Sequence, residues 1–292
     1  MLAGFGIADI TPEMGIQIAG DIGRPRPTRE ILDPLYAKAA VFEHDGTRVC
    51  LLVLDVLAIS HPWADRIRDE AHKRFGLAQE AVRVHVSQTQ SAPAVGSHFC
   101  LEDCTLIPDE YPWLRCGDDR YNPVAVDGAL AAIAQAVESL APATLRAARD
   151  VDSRVAFNRR FVMRDGTSTT HAKGGRENIL HAEGPTDPEV AVVRIDGPDG
   201  KPRSLLLHHT CHPTHGYPKH YISADWCGDW ATMMHEHLGK AGVAPLVING
   251  CCGNIAPNDH MNPKHQRNQQ QMAECLTESA TAVLSRAGEM RE

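Results

Sequence analysis

Apolar and polar positions change period repeatedly along this 292-residue chain. Tyr36–Glu43 alternates, His44-Asp45-Gly46 supplies a turn, and Arg48–Leu57 is an almost unbroken apolar run interrupted by Asp55, so residues 36–57 read as a hairpin. Helical spacing follows. Trp63, Ile67, Ala71 and Phe75 share a face, Pro62 suits a first turn, and Ser60 is placed to cap it. Val82–Val86 alternates again. Residues 88–123 hold no period and are rich in Pro, Gly, Asp and Cys, which marks them as a lid or a site wall. A helix is predicted over Val124–Leu140, then strands near Thr144–Asp150 and Arg154–Met163. The polar, aperiodic stretch 164–187 reads as a mobile surface loop. Ala191–Ile195 and Arg203–His208 flank Asp196-Gly197-Pro198-Asp199-Gly200, a hairpin signal. Ser223 is expected to cap a helix with the stripe Trp226, Trp230, Met233 and His237. Pro245–Asn249 reads as a buried strand. Met272, Cys275, Leu276, Ser279, Val283 and Leu284 stripe a last helix.

Strands alternating with helices give the α/β class, and the two hairpins make the sheet mixed: a mostly buried sheet flanked by helices, one domain over residues 1–292 without repeat or linker. Open α/β sheets bind ligands beyond the carboxyl ends of their strands. Asp55, Gln88-Thr89-Gln90, His208–His212 and Asn249–Cys252 all lie at or just past such ends. Four segments therefore point at one crevice.

Composition narrows the partners. A formal charge of -8 argues against nucleic acid, and no basic block or long apolar run suggests a membrane. The start, Met1-Leu2-Ala3-Gly4-Phe5-Gly6, lacks a basic and an apolar region of the export type, so a cytoplasmic protein with a small-molecule substrate is expected, self-association being left open. Nine cysteines, an odd number without a scaffold pattern, read as reduced thiols. Cys100 and Cys104 have the spacing of a zinc half-site but read as loop thiols; Cys50 and Cys275 sit on apolar stripes and read as core.

Chemistry concentrates after Leu205-Leu206-Leu207, where His208-His209-Thr210-Cys211-His212-Pro213-Thr214-His215 opens a loop. His212 is a candidate metal ligand or general base. Asp225 or Asp55 could serve as a second ligand or as the carboxylate that orients an imidazole. Arg159 offers a planar fork to a carboxylate or developing oxyanion. Cys251-Cys252 lies between Gly250 and Gly253, which makes Cys252 a candidate nucleophile. Blander roles compete. A strand-end histidine is more often hydrogen-bonded structure, one of His208 and His209 must face the core, and adjacent cysteines in a turn are usually small buried residues. His235 reads as surface and His237 as part of the helix stripe.

The same loops resemble the N-terminal domain of the neutral/alkaline ceramidases, zinc amidases that cleave the N-acyl bond of sphingolipids. The resemblance rests on Gly4-Phe5-Gly6-Ile7-Ala8-Asp9-Ile10-Thr11-Pro12, Asp33-Pro34-Leu35-Tyr36-Ala37-Lys38-Ala39, Leu54-Asp55-Val56, Phe157-Asn158-Arg159-Arg160, His212-Pro213-Thr214, the Asp225 loop and Gly253–Asn258. Their order and spread carry it, since no one motif would. It implies His212 as a zinc ligand and Asn158, Arg159, Asn254 and Asn258 at the substrate. Where the family has His-Thr-His-Ser-Gly-Pro, which supplies a zinc ligand and a second active-site histidine, this chain has Gln88-Thr89-Gln90-Ser91-Ala92-Pro93, so that metal affinity is lost and Gln88 and Gln90 are candidates for substrate binding. Ala256 stands at the family's active-site serine. The family's remaining Glu and Tyr ligands come from a region beyond these residues. The expectation is a hydrolase of a small amide or ester with a reduced or rearranged zinc site at His212 and Asp225. Its rivals are a non-catalytic ligand-binding relative and a metal-free hydrolase acting through Cys252 or Cys251.

Overall fold

The computed structural model describes residues 1–171, 175–262, 264 and 266–289. One sheet is built on β1 (Leu2–Asp9), β2 (Tyr36–His44), β3 (Thr47–Leu54) and β4 (Val82–Val86), in the order β4-β3-β2-β1, with Ala141–Pro142 added at the β1 edge. A second is built on β5 (Thr144–Val151), β6 (Glu189–Asp196), β7 (Pro202–His209) and β8 (Leu246–Asn249), in the order β8-β7-β6-β5, with Gly288–Glu289 at the β5 edge. Each is mixed in the same way: β3 and β4 run parallel, as do β7 and β8, and every other pair is antiparallel.

The class is α/β and the sheet is mixed, as expected, but two five-stranded sheets carry the fold instead of one. The apolar run of β3 shows why. Cys50, Leu52 and Leu54 join the core beneath α1 (His61–Phe75) and α2 (Asn122–Glu138), whereas Leu51 and Val53 face the second sheet. Val190, Val192, Leu205, Leu207 and Val247 join a separate core beneath α3 (Asp225–His237) and α4 (Gln269–Leu284). Phe5, Ala40 and Val53 meet Ile195 and Leu246 between the sheets. Strands buried on both faces need no alternation. The result is a helix–sheet–sheet–helix sandwich, with no described helix long and apolar enough to cross a membrane.

Several local expectations are revised. Residues 164–187 include Ser168–Thr170 and Ile179–Ala182, which pair with Arg160–Met163 over Phe161, Met163 and Ile179. They are short strands that do not alternate cleanly, so the sequence hides them. The strand predicted over 154–163 breaks at Arg159, and its first part, Phe157–Asn158, pairs with Ile255–Ala256 instead. In α3 the buried stripe is Trp226, Trp230 and Met234, with Met233 half-buried and His237 exposed. Ser60 spends its hydroxyl on Glu102 rather than on capping α1. Cys50 is buried, whereas Cys275 is only half-buried. Residues 88–123 before α2 hold, as regular structure, a short turn of helix at Pro112–Arg115.

The helix α2 lies on β1 at backbone contact. A Cβ on Gly4 would stand 1.9 Å from the Ala136 carbonyl oxygen, and one on Gly6 would stand 2.0 Å from that of Ala132. Ala125, Ala129, Ala132 and Ala136 are buried on the facing side of the helix. Small residues on both elements set this spacing. Gly6→Ala should therefore cost on the order of 1–3 kcal/mol by overpacking. A lower urea midpoint at unchanged slope checks this; an unchanged midpoint contradicts it.

Candidate functional site

The carboxyl ends of both parallel strand pairs fall at the same edge of the sandwich, joined by one side chain. The Asn249 Oδ1 atom accepts the Cys211 N–H at 3.2 Å, and Nδ2 donates to the Ser87 carbonyl at 3.0 Å. The Asn249 N–H donates to His85 Nε2 at 3.1 Å. Asn249 thus ties the ends of β4, β7 and β8 together. It was read from the sequence only as a strand end, because nothing local shows that three strands converge on it.

His212 lies just past β7, buried, with its backbone N–H bonded to the Ile255 carbonyl at 3.2 Å. Its Nδ1 also contacts the carbonyls of Cys252 and Ile255, the latter at 3.1 Å. Carbonyls only accept, so Nδ1 carries the proton and Nε2 keeps the lone pair. Burial, followed by the Arg159 charge, holds this imidazole below its ordinary pKa.

Arg159 reaches the same loop through the pairing of Phe157–Asn158 with Ile255–Ala256. Its backbone N–H donates to Asn254 at 2.8 Å and its Nη2 to the Gly253 carbonyl at 2.8 Å. Its Nη1 approaches His171 Nε2 at 3.4 Å, and its Nε is buried without a partner. Gln88 has a positive φ of 64° and accepts the Cys252 thiol at 2.9 Å on Oε1. An amide-bearing residue held in the left-handed region is a strained position, of a kind that clusters at sites. Gln88 and Cys252 line a hollow of about 480 Å³ with His85, His98 and Gly250.

Other candidates are placed elsewhere. Asp55 is buried and lines a small chamber of about 130 Å³ with Lys38, Asp33 and Asp229; burial raises its pKa, with Lys38 opposing. The carboxylate is part of a buried polar network, not of the His212 loop. Asn158 donates to the Gly184 and Pro185 carbonyls and accepts the Arg160 N–H, so its amide braces the backbone. Gln90 is held through its backbone by Pro213 and Arg26. Asn254 sits in the turn beside Arg159, and Asn258 lines a wider cleft.

That cleft holds His215, to which the sequence analysis assigns no role. Asp225, fully buried at a φ of 56°, accepts His215 Nδ1 at 2.6 Å and the His215 N–H at 2.8 Å, and also takes the N–H groups of Gly216 and Trp226. All its acceptor directions are spent, so it orients an imidazole rather than ligating a metal. The His215 side chain is 8% exposed and its Nε2 has no partner. The Asp225 expectation already contained an oriented imidazole, but only the fold shows which one.

The geometry bears on two chemical expectations. Burial first of all pushes the Cys252 thiol up to about 11, so it stays protonated and donates to Gln88 rather than acting as a thiolate. Among the described residues no three His, Cys, Asp or Glu side chains converge to hold a metal ion.

No family model matches this sequence, and comparison with curated proteins finds no match. Structure gives a clearer answer: this is the ceramidase-type α/β fold. One structure similar to it is described as a ceramidase complexed with C2, at a TM-score of 0.78 and 19% identity. Another is the neutral ceramidase from Pseudomonas aeruginosa, at 0.77 and 20%. Each match covers 97% of this chain but 44% of the other, so the chain spans less than half the length of these proteins.

Buried neutral histidines make stability depend on pH. His209 is fully buried, bonded through Nδ1 to the Glu189 carbonyl at 2.9 Å, and burial depresses its pKa. Below the ordinary histidine value of roughly 6.5 the unfolded chain binds the proton that folded His209 refuses. Its contribution is therefore present above that pH and lost as pH falls toward its folded value. Asp33, raised to about 6 by burial, acts in the opposite sense, so the test is a difference. The stability of His209→Phe, measured by urea titration, should fall less steeply than wild type between about pH 6.5 and 5. Parallel curves would contradict it.

Proposed function

We propose that this chain is a hydrolase of a small amide or ester, acting at His212 and Arg159. The observation that carries the reading is the fixed tautomer of His212: two backbone carbonyls hold Nδ1–H, leaving Nε2 as a proton acceptor beside a guanidinium with an unpartnered Nε–H. The ceramidase-type fold supports the hydrolase class. In the proposed reaction a water attacks the substrate carbonyl carbon while its proton passes to His212 Nε2. Arg159 stabilises the oxyanion that forms. Collapse expels the amine or alcohol, which takes the proton back from His212.

A serine ester intermediate is ruled out at position 256 by alanine, and the Cys252 thiol is protonated and buried. Zinc, the metal implied by the resemblance, does not fit the residues present. A catalytic zinc takes three protein ligands, and among the described residues His212 stands without two companions: Asp225 is committed to His215, and Gln88 to Cys252. No step is routed through a metal.

Short-chain acyl esters and N-acyl amides are the substrates to assay. His212→Gln should lower kcat/KM by about 100-fold or more, the usual worth of a general base. Arg159→Lys should lower kcat/KM by at least about tenfold, since an ammonium lacks the planar fork. Activity indifferent to both changes would discard the assignment, and absence of hydrolysis would favour a non-catalytic ligand-binding protein. Elemental analysis after dialysis against zinc should find well below one equivalent, unchanged in His212→Gln. A full equivalent lost in that variant would reinstate the metal.

A further inference from the structure

A wide cleft, about 910 Å³, is lined by residues from three separate parts of the chain: Asp33, the His215–Tyr221 loop, and the neighbouring faces of α3 and α4 with Asp229 and Gln269. Its chemistry differs from that of the His212 loop. Asp33 and Asp229 both line it, and neither has an ion-pair partner among the described residues. They lie close enough for the Asp229 charge to be felt at Asp33, whose pKa burial and that charge together raise. Arg267 also lines the cleft, but its Nη1 donates to the Arg154 carbonyl at 2.7 Å.

A second observation points independently to a donor ligand. The imidazole of His215 lines the same cleft with its side chain 8% exposed, and Asp225 holds its Nδ1–H at 2.6 Å. In the neutral imidazole this leaves Nε2 as an acceptor, and it is buried without a partner. A buried acceptor left unmatched costs free energy that a ligand N–H or O–H would recover. Asp33 Oδ1 takes the Ala224 N–H at 2.7 Å, which fixes that carboxylate at the start of α3. Glu236 lines the cleft as well but is paired with Lys240 at 3.9 Å, so the wall offers the Asp33 and Asp229 carboxylates and one imidazole nitrogen, with net negative charge.

We infer that this cleft binds a small hydrophilic ligand carrying a primary ammonium group, with Asp33 and Asp229 balancing its charge and His215 Nε2 accepting one of its N–H donors. An ammonium matches this wall in both respects, having three donors, no acceptor and a positive charge. The surrounding Thr214, Thr232, Tyr221 and Asn258 suit hydroxyls on the rest of the ligand rather than an alkyl chain. The inference stands apart from hydrolysis at His212 and can hold or fail without it.

Calorimetric titration of the full chain with ethanolamine and glucosamine, each against its uncharged counterpart ethylene glycol or glucose, tests it. Both amines should bind saturably, at least about tenfold more tightly than the counterparts, with added salt weakening them. Asp229→Asn should weaken ethanolamine about tenfold, and His215→Phe should weaken it while the fold persists. The wild-type comparison keeps the test valid if a variant does not fold. Equal binding of amine and diol, or no saturable binding of either amine, would overturn the inference. So would ethanolamine affinity unchanged in a folded Asp229→Asn. Amine binding without hydrolysis counts against the His212 reading alone, and hydrolysis without amine binding counts against this one alone.

Discussion

Everything at the functional edge depends on one buried amide. Two sheets can pack face to face in many relative positions if apolar contact is the only interaction, because that contact is non-directional. Asn249 removes the freedom where it matters. Its side chain and N–H reach Cys211, Ser87 and His85, which end or follow different strands in both sheets. Each bond satisfies a group that would otherwise be buried unpaired, so sliding one sheet past the other breaks several at once. The loops beyond those strands inherit the register.

At the far edge Arg203 performs the matching task. Its guanidinium donates to the Ala141 and Ser139 carbonyls at 3.2 and 2.7 Å and also bonds that of Ala3. Arg26, fully buried, gathers the carbonyls of Ala19, Gln90 and Lys219 behind the wide cleft. In each case several fixed donors on one planar group collect backbone carbonyls from separate segments of the chain. Polar side chains thereby define the geometry that the apolar cores leave open.

The two imidazoles nearest the site show how the same residue type is tuned by its surroundings. His212 is held by backbone carbonyls beside a guanidinium, whereas His215 is held by a buried carboxylate. In the neutral ring each of these contacts leaves Nε2 as the acceptor. Two residues separate them in sequence, yet one belongs to the loop with Arg159 and the other to the acidic cleft. The crevice read from the strand ends is therefore divided, with Asp55 in a third chamber.

Local pattern was enough to fix the helices, the hairpins, the α/β class and the concentration of chemistry at strand ends, because periodicity reports directly which faces are buried. The resemblance in the spaced motifs also pointed to the fold that is observed. The tertiary structure alone decided that the apolar strands form two sheets, since a strand buried on both faces does not say what buries it. It alone decided that Asp225 serves His215, that Cys252 serves Gln88, and that Asn249 joins the sheets. Those partners lie between 10 and 164 residues apart, and a side chain's protonation and reach are set by the atoms around it rather than by its neighbours along the chain.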